Sequence, residues 1–422
     1  MWKVIYNILT LCALPFFIII GLTNAKMKPN FFRRLFPRQE TGPLVDACLI
    51  HGASIGEAVI ATSLADYLMS HGGPERFIIT TNTYYAEEMI KKKQDKVYGR
   101  ETDSAPFDLY FSVVRFLDHY KPTMIVIVET EIWPNLIWQA KRRGIPVIIV
   151  NGRISDSTYA TYKRLRAFMR SVFQDVTAVI AQSPEHRDRY IAIGMPKSRT
   201  FVTGNVKYYR PYDPAVLDKK RRETVYITFG SVKEKELEEI YKAITLLKHD
   251  MPKATIFIAP RELHLADVLE KDLCTHFTVA RYSRIKDTPS TYTDIVVVDT
   301  VGDLMHIYAR SIIAFVGGSL APYGGQNMLE PLFVGTPVLF GPYTENFKDI
   351  AEIVTQGGAG YVVGNGSEIH ARIMAIVNDP DLYKKMQAAG FAIVEKQADV
   401  MKETSATIMN IIEEELSFRE LR

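Results

Sequence analysis

The feature that most limits what this chain can fold into is an alternation that occurs twice: short, mostly apolar runs separated by longer amphipathic stretches. Val45–Ile50, Phe77–Thr81, Met124–Val128, Val147–Val150 and Ala178–Ala181 read as strands buried on both faces, as in a parallel sheet. Helical patterns at Ala58–Met69, Tyr85–Lys93, Leu136–Arg143 and Tyr159–Phe173 separate them. That order predicts one doubly wound α/β domain. A second alternation runs through Val225–Phe229, Ala254–Ala259, Ile295–Val298, Ile312–Val316 and Pro337–Phe340. The stretch between the two, Tyr208 to Arg222 with Pro211 and Pro214, is rich in turn formers and charge and reads as a linker. A length of 422 residues suits two large domains at roughly 150 residues or more each. The expected division is 1–43 for a membrane-anchoring segment with a basic stretch, 44–207 for the first domain, 208–222 for the linker and 223–422 for the second domain with its terminal helices. Two such halves would face one another across a cleft, with chemistry at the carboxyl ends of the strands.

Val4 to Ala25 contains no charged residue. As a helix it would reach about 33 Å, close to the hydrocarbon thickness of a bilayer. Pro15, Gly21 and the polar Asn7, Thr10, Thr23 and Asn24 interrupt it. A spanning anchor and an embedded monotopic helix are both open. A cleaved signal is disfavoured, because only Lys3 precedes the apolar run and no clear small-x-small site follows. Lys26, Lys28, Arg33, Arg34 and Arg38 come next, with no acid until Glu40. Such a cluster stays on the cytoplasmic side and suits anionic headgroups. Over the whole chain, 51 basic and 48 acidic residues leave a net charge of +3, too little for a general nucleic-acid binder. The 3 cysteines, Cys12, Cys48 and Cys274, form no CxxC, which excludes a disulfide scaffold or a zinc finger and fits a reducing compartment.

Chemistry-bearing residues gather at predicted strand ends. The first strand leads into His51-Gly52-Ala53-Ser54-Ile55-Gly56-Glu57. Ser54 and Glu57 have the spacing of a capping box, and Glu57 is equally a carboxylate at the cleft. Met124–Val128 leads into Glu129-Thr130-Glu131-Ile132-Trp133-Pro134-Asn135. The two acids there either favour a helix N-terminus or line a cavity with Trp133. Gly204-Asn205-Val206-Lys207 closes the last strand of the first domain and sets a lysine where an anion would meet it.

In the second domain Ala259-Pro260-Arg261 puts a guanidinium at a strand's carboxyl end, a group suited to phosphate or carboxylate. The strongest segment is Gly317-Gly318-Ser319-Leu320 followed by Gly324-Gly325-Gln326-Asn327-Met328-Leu329-Glu330-Pro331. Its glycines permit close backbone approach, and a helix starting near Asn327 would aim free amides at a phosphate. Glu330 would accept from ribose hydroxyls. There is no Walker lysine motif, no GxSxG and no HExxH. Asp379-Pro380-Asp381 reads as an N-cap rather than a metal site.

With these segments in hand the chain resembles the 3-deoxy-D-manno-octulosonate (Kdo) transferases, over nearly its whole length. Ser54–Glu57, Glu129–Asn135, Gly204–Lys207 and the run from Phe315 through Glu330 to Asn346-Phe347 carry the resemblance. It implies the GT-B fold of two Rossmann-like domains facing a cleft, and inverting transfer of Kdo from CMP-Kdo to a lipid A precursor (lipid IVA) in lipopolysaccharide synthesis. It further implies the cytoplasmic face of the inner membrane, no cofactor, no metal and no nucleic acid. Glu57 would be the general base, with Glu129 and Lys207 stabilising the transition state. Pro260, Arg261, Val301, Gly302, Asp303, Asn327, Met328, Leu329 and Glu330 would bind CMP, with Ser54, Ser319, Gly324 and Gly325 as further candidates. Three positions depart from the family pattern: Lys233 and Glu262 stand where it has histidines, and Asp303 where it usually has Glu. The permanent charge of Lys233 can stand in for a histidine near the donor, whereas Glu262 beside an anionic donor is the less easily compensated change. The alternatives are a GT-B transferase for another CMP-activated acidic sugar, and a membrane-docked binding protein without turnover.

Overall fold

The computed structural model describes residues 1–24, 28–37, 46–94, 99–209, 225–286 and 293–420. The chain forms two compact units, Met1–Tyr209 with Gln397–Arg422, and Arg210–Lys396. The first contains β1 (Cys48–His51), β2 (Phe77–Thr81), β3 (Arg100–Ser104), β4 (Met124–Val128), β5 (Val147–Gly152), β6 (Ala178–Ala181) and β7 (Thr200–Val202) in the order β3-β2-β1-β4-β5-β6-β7. The second contains β8 (Tyr226–Val232), β9 (Thr255–Pro260), β10 (Val279–Arg281), β11 (Ile295–Val297), β12 (Ile313–Val316), β13 (Val338–Phe340) and β14 (Gly360–Val362) in the order β10-β11-β9-β8-β12-β13-β14. Every neighbouring pair is parallel.

The inner strands are the apolar runs expected from sequence, because a parallel strand covered by helices on both faces can carry few polar side chains. All residues of β1, β2, β4, β5 and β6 are buried. Val45, expected to begin the first strand, lies outside the described residues. Strand order reverses between β1 and β4 in the first sheet and between β8 and β12 in the second. The loops leaving those strands at their carboxyl ends therefore diverge and open a crevice. His51 pairs in register with Ile127, so the loops after β1 and β4 leave the sheet at nearly the same level.

Residues 397–422, expected in the second domain, belong to the first unit instead. The helix Pro380–Glu420 carries an apolar stripe at Met401, Ile408 and Ile411 that packs with Ala58, Leu64, Ile180 and Val206. Thr203 and Thr404 hydroxyls meet at 2.6 Å. Gly204, at φ 113°, makes room for this return, since a Cβ there would sit 2.8 Å from a Val400 methyl. Of the expected linker 208–222, only Tyr208 and Tyr209 lie within the described residues.

The N-terminal helix Trp2–Thr23 is long and apolar enough to cross a membrane by length and composition. One side of it nevertheless rests on the first unit. Tyr6 packs against Trp138 and Phe168 and donates to the half-buried Asp108 at 2.8 Å. Leu14, Phe17 and Ile18 pack with Phe31, Leu35, Phe107 and Leu109. Ile5, Leu9, Phe16 and Ile19 on other faces are exposed.

The basic stretch is not all available to headgroups, as had been expected. Arg34 is buried and donates to Ala105 and Asn82 carbonyls and to the Asn82 side chain, each at 2.8 Å. Arg33 is tied to Glu87 and Ser104. Both guanidiniums are drawn inward because the strand-end carbonyls and the buried Glu87 need donors there. Lys28 is exposed, while Lys26, Arg38 and Glu40 lie outside the described residues.

Candidate active site

At the β1/β4 crevice of the first unit, Ser54 caps the helix Ile55–Ser70 and Glu57 folds back on it. Ala53 N–H donates to the Glu57 carboxylate at 2.7 Å, the Ser54 hydroxyl donates to it at 3.0 Å, and Ser54 Oγ accepts from Glu57 N–H at 3.3 Å. The capping box is therefore formed. It also fixes Glu57 at the rim of the crevice, partly exposed.

Glu129 leaves β4 with φ 64°, a left-handed conformation uncommon outside glycine. Burial raises its carboxyl pKa and the neighbouring Glu57 raises it further, while Lys207, Arg153 and Asn151 pull it down. Four side chains, Glu57 after β1, Asn151 and Arg153 at the end of β5 and Lys207 after β7, thus act on Glu129 here. Glu131 accepts from Trp133 Nε1 at 2.8 Å. Its pKa is raised by burial and by Glu57, against the pull of Trp133, Arg34 and Asn82. Beneath them His51 is buried with its ring edge-on to Trp133 at 5.2 Å, and burial together with the Arg34 charge pushes its pKa down to about 3. It is a neutral packing and hydrogen-bonding group at neutral pH.

In the second unit the glycine-rich loop after β12 is held by a buried carboxylate. Glu236 accepts from the N–H groups of Gly318, Ser319 and Leu320 at 2.6, 2.8 and 2.7 Å, and from Lys233 N–H at 2.9 Å. The close backbone approach expected of Gly317 and Gly318 is thus made, at Gly318, to Glu236. Ser319 is buried, donates to Val316 O at 2.6 Å and accepts from Gly341 N–H at 2.8 Å, so its hydroxyl is used within the fold. Gly324 and Gly325 have φ 86° and 81°. The helix expected near Asn327 begins at Leu329 and ends at Phe333. Asn327 Oδ1 accepts from Leu329 N–H at 3.1 Å, closing a local turn in place of another helical residue.

Pro260 ends β9, and Arg261 beside it is exposed. Val301, Gly302 and Asp303 follow β11, with Val301 exposed. Lys233 Nζ lies 3.4 Å from Glu262 and 4.6 Å from the Tyr323 ring centre.

Residues 26–210 match the family described as 3-Deoxy-D-manno-octulosonic-acid transferase (kdotransferase). A 3-deoxy-D-manno-octulosonic acid transferase of Haemophilus influenzae is 30% identical over 414 residues, covering 93% of this chain and 95% of its own. The chain belongs to this family. A transferase of the same name from Aquifex aeolicus is 28% identical, covering 83% and 92% of the two chains. A UDP-GlcNAc 2-epimerase from Neisseria meningitidis is 14% identical, with TM-score 0.53 over 83% of this chain and 99% of its own. That likeness shows a shared two-unit, GT-B-like fold.

In this Kdo transferase, then, the first unit brings Glu57 and Lys207 within electrostatic reach of Glu129. In the second, Pro260 ends a strand and Arg261, Val301–Asp303 and Asn327–Glu330 follow carboxyl ends of strands, while Met328 and Leu329 bury their side chains and offer a ligand only backbone. Sequence reasoning missed Arg34, Asn82, Asn151 and Arg153. Arg34 was hidden in a basic run that looked like a membrane signal. Asn151 carried a signal in its place at the end of an apolar strand, and it too adopts a left-handed φ of 55°.

Proposed function

We propose that this transferase moves Kdo from CMP-Kdo to a hydroxyl of a lipid A precursor, lipid IVA, with inversion, at the cytoplasmic face of the inner membrane. The observation that carries the reading is the cluster of Glu57, Glu129 and Lys207 at the strand-order reversal of the first sheet. Glu57 takes the acceptor proton, the acceptor oxygen bonds to the anomeric carbon, and the bond to the CMP phosphate breaks with its electron pair leaving on CMP. A base on the face opposite the departing phosphate gives inversion in one displacement. Acting as base requires Glu57 to release the Ser54 hydroxyl, a small local change. Arg261 or Lys207 supplies the positive charge that the growing phosphate charge needs, and no metal or other cofactor is proposed. Arg261, Val301–Asp303 and Asn327–Glu330 hold CMP.

The test is incubation of the full chain with CMP-Kdo and lipid IVA, followed by mass spectrometry of the lipid and determination of the new anomeric configuration. A lipid heavier by one or more Kdo units with inverted configuration is expected; an unmodified lipid with intact CMP-Kdo overturns the reading. A second reading, another CMP-activated acidic sugar as donor, is favoured by the Lys233–Glu262 pair, and donor competition in the same assay separates the two.

A further inference from the structure

A cavity of ≈ 510 Å³ lies in the first unit beneath the N-terminal helix. Val4, Ile8 and Leu11, one stripe of that helix, form one wall and are themselves exposed, so the cavity is an open groove. Leu109, Phe111 and Trp138 form the other. The polar Asn7 and Asn135 at its edge bond to each other at 3.1 Å. The volume is that of a ligand pocket, roughly 300–1,000 Å³, and an apolar space of this kind gives water little to bond to.

Its charged lining residues lie together. Arg142 is exposed. Lys3 pairs with Asp175 at 2.9 Å and lies 5.5 Å from the Trp138 ring centre. Asn135, Trp138, Gln139 and Arg142 are spaced along one face of the helix Pro134–Arg142. Arg142 therefore sits about 12 Å along the axis from Pro134, away from Glu129 and Glu131. Outside the cavity the same N-terminal helix exposes Leu9, Phe16 and Ile19, an apolar face suited to the headgroup–acyl boundary of a bilayer.

We propose that this cavity binds one fatty-acyl chain of an anionic membrane phospholipid, whose phosphate lies against Arg142 and Lys3. The apolar walls match the chain, and the basic pair complements the phosphate. Because Arg142 lies at the end of its helix remote from the acidic cluster, a head held there is not the sugar acceptor. The site is thus additional to the proposed transfer chemistry and does not depend on it.

The test uses the full chain with phosphatidylcholine vesicles containing phosphatidylglycerol that carries a diazirine in its acyl chain. After illumination, adducts are mapped by peptide mass spectrometry. Adducts on Leu109 or Trp138, buried lining residues that a chain lying only along the exposed helix would not reach, are expected. They should fall about tenfold in Ile8→Trp, which fills the groove, and hold steady in Leu9→Trp, which does not line it. Arg142→Glu should reduce them when the probe is anionic and leave them unchanged with a phosphatidylcholine probe. The wild-type map decides the matter by itself if Ile8→Trp fails to fold. Adducts confined to exposed residues of the N-terminal helix, Ile8, Leu9, Leu11, Phe16 and Ile19, would overturn the proposal. So would displacement of the cavity adducts by excess unlabelled lipid IVA, which would assign the cavity to the acceptor.

Discussion

Lys233 and Glu262 form an ion pair at 3.4 Å across the loops that follow β8 and β9. The two departures that the resemblance marks therefore offset one another: the acid that would repel an anionic donor is matched by a cation, which also lies over the Tyr323 ring. An ion pair this accessible contributes only about 0–1 kcal/mol to stability. A lysine bonded to a donor phosphate contributes more, about 1.5–3 kcal/mol. Lys233→Ala should thus leave the melting temperature nearly unchanged while weakening CMP binding by about tenfold or more. Glu262→Ala should keep or improve binding. Calorimetric titration with CMP checks both, and an unchanged affinity in Lys233→Ala removes that residue from the nucleotide site.

Glu57→Gln keeps the side chain that a capping box accepts, so folding should persist. Transfer should fall by about 10²–10⁴, the scale of a general base. Rates measured beside melting curves separate the roles. A variant that melts earlier yet transfers at the normal rate would leave Glu57 as a cap alone.

Buried inner strands announced themselves, because each needs an apolar run. The sheet edges did not. β3 (Arg100–Ser104) is mostly half-buried and reads as a polar loop, while β10 and β14 have 3 residues each. An edge strand has only one neighbour and less to bury, so its pattern is weak. The positions of Glu57, Glu129 and Lys207 were legible because strand ends in such sheets collect ligands. The destination of the Gly318–Leu320 amides was not, since nothing local to either segment says that Glu236 enters that loop. The docking of Met401, Ile408 and Ile411 on the first unit was equally long-range: a helix stripe shows that it needs a partner without saying which.

That loop predicts a large stability effect. Glu236→Ala would strand four N–H groups, each costing about 1–3 kcal/mol when buried and unpaired. A total of at least ~4 kcal/mol is a large share of the ~5–15 kcal/mol that stabilises a domain. Glu236→Gln, with one acceptor oxygen left, should lie between. Thermal unfolding should rank wild type above Gln above Ala, with CMP binding falling in the same order. Equal melting temperatures would show that the loop does not depend on this carboxylate.

The seat of the N-terminal helix should respond to pH. Burial raises the Asp108 pKa from 3.8 to about 6, against the N–H groups of Asn135 and Leu136 and the Tyr6 hydroxyl that favour the anion. Between those two values the folded chain holds a proton that the unfolded chain has lost. Stability from this group is complete below pH 3.8 and is lost as pH rises through about 6, at a slope of at most ~1.4 kcal/mol per pH unit. Asp108→Asn removes the titration. The stability advantage of wild type over the variant should therefore be larger near pH 4.5 than near pH 7.5 when denaturant midpoints are compared. A difference independent of pH would show that Asp108 is ionised in both states.

Glu330 stands in the first turn of the helix Leu329–Phe333, close enough for its charge to raise the pKa of Tyr308, which burial already raises. In the proposed site it accepts from the ribose hydroxyls of CMP, through charge-assisted bonds of roughly 1.5–3 kcal/mol each. Glu330→Ala should then raise the CMP dissociation constant by about one to a few decades. Arg261 would still hold the phosphate, so binding should weaken without vanishing. A deoxyribose analogue of CMP supplies the closing arm of a double-mutant cycle. Against wild type it should bind more weakly than CMP; against Glu330→Ala the two should bind nearly alike, because the partner of the missing hydroxyl is already gone. Calorimetric titration of both ligands against both proteins reads all four corners. If CMP binds wild type and variant equally, Glu330 is not the ribose partner, and the nucleotide lies elsewhere than the loop after β12.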